Sequence, residues 1–548
     1  MIRTGSPAPP DAADYIIIGA GSAGCVLANR LSADGRHKVV LLEAGGRNTG
    51  LLNTMPAGMA VLLRKANPSN WAFQSEPVSS LHGRTAYIPR GKGWGGSSSI
   101  NGMLYVRGNA ADYDQWAQMG LDGWSYDDVL PFFRRSEDGP PADELSEASR
   151  YHGQGGELAV RFGQSRDPVY KAFLDAGQEA GYPVTPDFNG RSQLGFGRYQ
   201  LNIENGRRAG TLRAFLRPAL GRGNLVATTG VHVTRIVLTQ GRARAVEYRR
   251  AGDTVAQRIE ARREIILCAG TMQSPQILNL SGIGDPDDLA AVGLAPAVAL
   301  PGVGRNLQDH VDIAVTYRSR LPLLWSRTKG WRSAMIGLRY LARRDGPGAE
   351  NALEAGAFLC SRPGLDRPDL QVQFIPGIMS NDGAKEMIAE DGFTLDMIAL
   401  HPESRGRVSL QSADPMTAPR IEPNHLSTPG DLAVLRRAVG IARQLASQSA
   451  LDPWRTTERS PGATVHDPDE LDDWLRHNAS TIYHPVGTCA MGARSSQSSV
   501  VDADLRVIGV AGLRVADASV MPTIVSGNTN AATMMIAEKA AGMILKDM

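Results

Sequence analysis

YIIIGAGSAGCVLANRLSADGRHKVVLLE, Tyr15 to Glu43, is the stretch from which the fold can be read. The apolar run Tyr15 to Ile18 ends at Gly19-Ala20-Gly21-Ser22-Ala23-Gly24. Val26, Leu27, Ala28 and Leu31 then recur at helical spacing, and Val39 to Leu42 form a second apolar run. That order predicts strand, tight turn, helix, strand. The chemistry such a turn serves is the close approach of backbone to a pyrophosphate at the positive N-terminus of a helix. Side chains at Gly19 and Gly21 would obstruct that approach, and one at Gly24 would crowd the helix against the strand. Glu43 sits where an acid holds a ribose hydroxyl. The pattern therefore predicts a dinucleotide site, and on its own it does not separate FAD from NAD.

At 548 residues the chain exceeds the usual size of one domain, so two domains or one large core with insertions is expected. The formal charge of +2 gives no electrostatic reason for nucleic acid as a partner. Four cysteines, Cys25, Cys268, Cys360 and Cys489, lie among apolar neighbours without CxxC spacing, and read as small buried residues rather than a disulfide framework or a metal site. A reducing cytoplasm fits that usage, and no metal is expected. Residues 1–13 read as a loose leader, and no apolar run is long enough for a membrane span.

Further along, Ala44 to about Asn70 reads as an excursion shaped by what it covers. The segment from Arg90 to Gly108 is dense in glycine and serine yet carries Trp94, Ile100, Met103, Leu104 and Tyr105, which suits backbone wrapped around a large polar or planar ligand rather than a tether. Two short helices are expected between Asp112 and Asp138, the second capped by Ser125, and residues 139 to 156 read as loop. Asn224 to Leu238 and Ile265 to Leu267 read as strands returning to the nucleotide sheet. Strand-like runs such as Leu370 to Ile375 and Arg407 to Leu410 alternate with helical ones such as Leu432 to Leu445, as in a separate sheet. Ser326 to Arg344 carries Arg327, Lys329, Arg332, Arg339, Arg343 and Arg344 and no acid. The simpler reading is a solvated helix whose apolar face packs on the domain. The alternative is a surface for a membrane, a partner or an acidic substrate.

Two longer stretches resemble the signatures of the glucose-methanol-choline (GMC) oxidoreductases. The first is matched by Gly91-Lys92, Gly95-Gly96-Ser97-Ser98, Ile100-Asn101, Tyr105, Gly108 and Asp114, with Trp94 where a branched aliphatic is usual. The second is matched from Gly270 to Gly284, GTMQSPQILNLSGIG, and PGVGRNLQDH, residues 301 to 310, is another familiar stretch. The resemblance implies an α/β fold: a Rossmann-like FAD-binding domain from residues 12–160, 205–312 and 482–548, and a mixed-sheet α+β substrate domain from 161–204 and 313–481. It also implies that FAD is held at Gly19, Gly21, Ser22, Ala23, Gly24, Glu43, Ala44, Trp71, Gly96, Asn101, Gly102, Val233, Ala269, Asp517 and Asn528. Ile100 stands where some members carry a histidine joined covalently to FAD, so a non-covalent cofactor is expected. Gly102 stands where some relatives place a hydroxyl near the flavin, a contact that does not carry over.

The chemistry is expected near the carboxyl end. In Ile482-Tyr483-His484-Pro485-Val486-Gly487-Thr488-Cys489 the proline holds His484 away from helical geometry and presents its ring from a loop or strand end. By resemblance His484 is the catalytic base and Asn530 its partner. A neutral imidazole near pKa ~6.5 accepts the hydroxyl proton of a primary alcohol at pH 7 while hydride goes to flavin N5, giving an aldehyde. His310 reads as a hydrogen-bonded structural histidine, and Tyr483 as a pocket wall. Glu354 is a candidate pocket acid for a cationic substrate, against the plainer reading of an exposed or salt-bridged glutamate. HPVGTC and SGNTNAATMMIAEK look choline-dehydrogenase-like, which favours a quinone or similar non-oxygen electron acceptor and leaves peripheral contact with an inner membrane open. An oxidase making hydrogen peroxide and a flavin-containing hydroxynitrile lyase are the alternatives.

Overall fold

In the computed structural model, which describes residues 7–64, 67–141, 145, 147–381 and 385–547, two seven-stranded sheets organise the chain. The first grows from the opening stretch. β1 (Ala12–Ile18), α1 (Ser22–Leu31) and β2 (Val39–Glu43) follow one another in the expected order. β2 lies parallel to β1 with Tyr15 opposite Val39 and Ile18 opposite Leu42. The strand Gln257–Leu267 runs parallel on the other side, with Ile16 opposite Ile265. Ile16, Ile17, Leu41, Ile265 and Ile266 are fully buried. Strands covered on both faces need apolar residues at every position, which is why these read as continuous runs rather than alternating ones.

Leu225–Thr229 pairs with β2 and Leu513–Val515 pairs with Gln257–Leu267, both parallel. Val231–Thr239 and Arg242–Arg250 add an antiparallel ribbon at the edge. The five parallel strands end on one side, and Gly19, Ala44, Val231, Cys268 and Asp517, at or just beyond those ends, all line a single cavity. Ligands of open α/β sheets bind at the carboxyl ends of the strands, so the fold itself directs attention there.

The second sheet contains Gly195–Arg198, Val311–Arg318, Ala355–Leu359, Leu370–Ile375, Gly392–Ala399 and Glu458–Ser460, with Ser480–Thr481 against Val311–Arg318. Its pairings are antiparallel. The helix Pro429–Ala446 packs on it through Leu435, Ala438, Val439 and Ala442, each fully buried. Arg407–Ser409 forms a separate hairpin with Arg420–Glu422. Leu104–Tyr105, Gln200–Leu201 and Arg161–Phe162 make a separate small antiparallel sheet, with Gln200–Leu201 in the middle.

Several local expectations change. Ala12 and Ala13 belong to β1, Ala13 is fully buried, and Pro7 O accepts from Thr228 Oγ1 at 3.1 Å, so only part of the expected leader is left outside the sheet. Residues 1–6 lie outside the described residues. The excursion after Ala44 contains helical turns at Leu51–Thr54, Pro56–Gly58 and Met59–Leu62, and its Met55, Met59, Ala60 and Leu63 roof the cavity. Within the expected loop, Ala148–Tyr151 is helical. Ser125 caps the helix Tyr126–Ser136 as expected, in a capping box with Asp128. The helix Trp331–Arg343 overturns the simpler expectation for its segment: Trp331, Met335, Leu338 and Leu341 are exposed, and only Tyr340 is buried. Among the described residues no helix is long and apolar enough to cross a membrane.

Candidate active site

The cavity at the strand ends has a volume of about 680 Å³. Its cofactor end is built from glycine. Gly19 has φ +96°, and a Cβ there would meet Cys268 O at 2.5 Å. At Gly21 the nearest atom to such a Cβ is Cys268 O at 4.0 Å, so a side chain there would project into the space beside the cavity wall. Gly21 caps α1 without a side-chain bond, and the first turn of α1 holds no acid, which leaves backbone N–H groups and the positive helix end for an anion. A second helix, Thr529–Lys546, also begins at the wall with no acid in its first turn. These features fit a dinucleotide pyrophosphate and an adjoining electron-rich ring.

Every residue expected to hold FAD lines this cavity except Gly24. Gly24 works from behind: a Cβ there would lie 1.9 Å from Gly19 O, so its absence lets α1 sit on β1. Glu43 holds backbone from two segments. Its Oε2 accepts from Ala20 N at 2.9 Å, and its Oε1 accepts from Gly45 N at 2.7 Å and Gly93 N at 2.9 Å, which ties the glycine turn to the glycine-rich segment. Asp517 braces the far wall, Oδ2 accepting from Gly270 N at 2.8 Å and Ser274 Oγ at 2.6 Å. Asn101 Oδ1 accepts from Met103 N at 3.1 Å and from Arg208 Nη1 at 2.8 Å. Trp71 stacks on Phe73 with ring centroids 5.9 Å apart.

At the other end of the cavity the structure assembles a histidine pair. The only group His310 Nε2 can serve at Leu400 is a carbonyl, which accepts, so Nε2 carries the proton and donates at 3.1 Å. His310 Nδ1 is then an acceptor, and His484 Nδ1–H donates to it at 3.0 Å. The lone pair of His484 is thereby fixed on Nε2, where Asn528 Nδ2 donates at 3.1 Å. Asn528 Oδ1 accepts from Gln371 Nε2 at 3.2 Å, which sets the orientation of the amide. Burial, reinforced by His310, Arg90 and Lys385, holds His484 well below the ordinary histidine pKa of ~6.5, and burial first brings His310 to about 3. Both rings are neutral at pH 7, and His484 lies further from titration than its unperturbed value implies.

The backbone before His484 is held firmly. Tyr483 takes φ +69°, its N–H donates to Thr481 Oγ1 at 2.8 Å and its carbonyl accepts from Arg90 Nη2 at 2.7 Å. His484 N–H donates to Asp309 Oδ1 at 2.8 Å. Burial pushes the Asp309 carboxyl up to about 7. Such a backbone conformation is costly for a residue with a side chain, and here three hydrogen bonds hold it. Tyr483 lines the cavity as expected, next to Lys385, which ion-pairs with Asp312 and Asp396.

Two expectations need correction. Asn530 does not meet His484: its Oδ1 accepts from Ser22 Oγ at 2.6 Å, on the cofactor side of the cavity. Asn528 is the N-cap, with extended backbone at ψ 128°, whereas Asn530 lies inside the first helical turn, and the two side chains are bonded to different partners, His484 and Ser22. Glu354 is buried behind the wall, with Oε2 accepting from Ser165 N at 2.6 Å and burial raising its carboxyl to about 7. Glu350, four residues earlier, lines the cavity instead. His310, Gln371 and Asp309 were not foreseen as partners of the site. The one local signal was the Asp309-His310 pair inside PGVGRNLQDH. Among the described residues, His82, Asp473 and His477 are the group close enough to share a metal ion, and they are exposed and contribute nothing to the cavity wall.

Comparison with known proteins agrees with this architecture. Family models described as GMC oxidoreductase match residues 13–312 and 402–537. The chain is 42% identical over 535 residues to an oxygen-dependent choline dehydrogenase of Photobacterium profundum, covering 97% of this chain and 93% of that protein. It is 42% identical over 542 residues to a mitochondrial choline dehydrogenase of Homo sapiens, covering 97% and 90%. Among solved structures, pyridoxine 4-oxidase from Mesorbium loti superposes with a TM-score of 0.87 at 32% identity, covering 97% of this chain and 99% of that one. The chain belongs to the GMC oxidoreductase family and is an FAD-dependent oxidoreductase acting on CH–OH donors.

Proposed function

We propose that the chain oxidises a primary alcohol to an aldehyde with His484 Nε2 as the base that takes the hydroxyl proton, and passes the electrons to a quinone or similar non-oxygen acceptor. The observation that carries this is the relay from Leu400 O through His310 to His484, which fixes a neutral imidazole with its lone pair at the cavity. FAD, held without a covalent bond because Ile100 on the wall offers no nucleophile, supplies the hydride acceptor. Asn528 holds the substrate oxygen beside Nε2 as charge develops on it, and Gln371 holds Asn528. Asn530 with Ser22 serves the cofactor cradle. Met59, Met103, Leu353, Ile375, Met379 and Ile482 give the cavity an apolar lining, which excludes water from the transfer. Glu350 and Glu386 are acids on the wall that could meet a cationic group.

The test is anaerobic bleaching of the bound flavin against aryl, long aliphatic, polyether, quaternary-amine and sugar alcohols. Bleaching by a primary alcohol, with the aldehyde as product, supports the reading. A flavin left oxidised by the whole panel contradicts it. A second reading, an oxidase yielding hydrogen peroxide, is favoured by the likeness to a structure named pyridoxine 4-oxidase. A peroxide assay run beside a quinone assay separates the two.

A further inference from the structure

The helix Trp331–Arg343 is amphipathic in an unusual sense, because its apolar stripe faces outward. Trp331, Met335, Leu338 and Leu341 recur at helical spacing and are 73%, 52%, 60% and 52% exposed. Arg332, Arg339 and Arg343 run beside that stripe on the same surface. The segment from Ser326 to Arg344 carries six cations and no acid. Arg327 pairs with Asp167 and Arg339 with Asp345, while Lys329, Arg332, Arg343 and Arg344 make no close ion pair among the described residues, Lys329 and Arg343 acting on Asp391 and Asp345 only at longer range. At the C-terminal end of the helix, Arg343 and Arg344 meet Arg207 and Arg213 around a cleft that also exposes Gln164 and Asn205. Glu204 engages Arg213 there, and Arg344 Nη1 is buried with no hydrogen-bond partner.

From this we infer that the helix and the arginine cleft form a docking surface for an anionic phospholipid membrane. A helix of this kind lies in the plane of the interface, its Trp and aliphatic side chains in the acyl boundary and its cations at headgroup phosphates. The cleft gathers four arginines, whose guanidinium groups are the chemistry that pairs with phosphate oxygens. A second copy of the chain fits poorly, since a two-fold contact through this face sets cations against cations. The inner side of the same helix contributes Ser333 and Ile336 to the catalytic cavity, and the preceding turn contributes Leu324 and Thr328. Docking therefore seats the cavity mouth at the lipid, where an apolar alcohol or a quinone reaches it without crossing water. Vesicle binding is read without turnover, so this inference stands or falls apart from the assignment of the base.

The experiment is flotation of the FAD-loaded, full-length protein with vesicles of phosphatidylcholine alone or phosphatidylcholine mixed with phosphatidylglycerol. Partition into the anionic vesicles is expected to be about tenfold or more stronger and to weaken as salt is raised. The double variant Met335→Glu, Leu338→Glu is expected to lose at least about tenfold of that partition with an unchanged thermal midpoint, since both side chains are exposed. Arg343→Glu is expected to weaken it and to flatten the salt dependence. Equal or no partition into the two vesicle types overturns the proposal. So does anionic binding that survives the double variant, or a dimer in lipid-free solution that the double variant dissolves.

Discussion

Asn528 Nδ2 lies 3.1 Å from His484 Nε2, and the same amide is held from its other end by Gln371 at 3.2 Å. The amide and the imidazole thus converge on one point of the cavity, while Asn530 is bound to Ser22. Asn528→Ala is expected to slow flavin reduction by saturating alcohol about 10- to 100-fold, the worth of one hydrogen bond to a charged group. Asn530→Ala is expected to change that rate by less than about threefold and to loosen FAD instead. Stopped-flow reduction of the two variants checks the pair. A larger kinetic loss in Asn530→Ala would return the role to that residue.

Because burial depresses His484, the group proposed to take the hydroxyl proton is already neutral at and above pH 6.5. A lowered histidine pKa means protonation, and with it loss of activity, is deferred to more acidic solution. The kcat/KM profile is therefore expected to stay level from pH 6.5 upward through neutrality and to fall only on the acid side of pH 6.5. A half-maximal point at or above pH 7 would contradict the depressed value.

The cradle makes a prediction about single atoms. Gly24→Ala places an ideally positioned methyl 1.9 Å from Gly19 O, whereas Gly221→Ala meets nothing within 4 Å. The first is expected to cost about 1–3 kcal/mol or more and to release FAD, the second to be neutral. Thermal midpoints and retained flavin absorbance report both. Equal behaviour of the two variants would remove Gly24 from its packing role.

Glu43→Gln presents one amide N–H₂ to a site where three backbone N–H groups already point, at Ala20, Gly45 and Gly93. One buried donor is left facing another. FAD affinity is expected to fall about tenfold or more, with a lowered thermal midpoint. Titration of the apoprotein with FAD measures it, and wild-type affinity would show that the carboxylate is dispensable.

The cradle was legible in the sequence because its physics is local: glycine spacing, helix phase and buried parallel strands all lie within Tyr15 to Glu43. The placement of His484 on the cavity wall was legible through its proline and its surrounding stretch. Its partners were less so. Asn528 and Asn530 sit two residues apart, and which one meets His484 depends on where the helix Thr529–Lys546 begins. The His310 to His484 contact spans 174 residues, and Gln371 arrives from a strand of the other sheet. No spacing rule connects them. Glu354 misled for a related reason: whether a strand-end side chain faces the cavity or the Gly163 to Ser165 loop is set by the sheet's registration. The outward stripe of Trp331–Arg343 has the same periodicity as a packed helix, so sequence alone could not say which way it faced.

The most direct test of the central claim is anaerobic stopped-flow reduction of the bound flavin by a saturating primary alcohol in His484→Ala. The expected result is a reduction rate about 10²- to 10⁴-fold below that of the unsubstituted protein, with FAD still bound. A variant that keeps its flavin and is reduced at close to the unsubstituted rate would show that the proton leaves by another route.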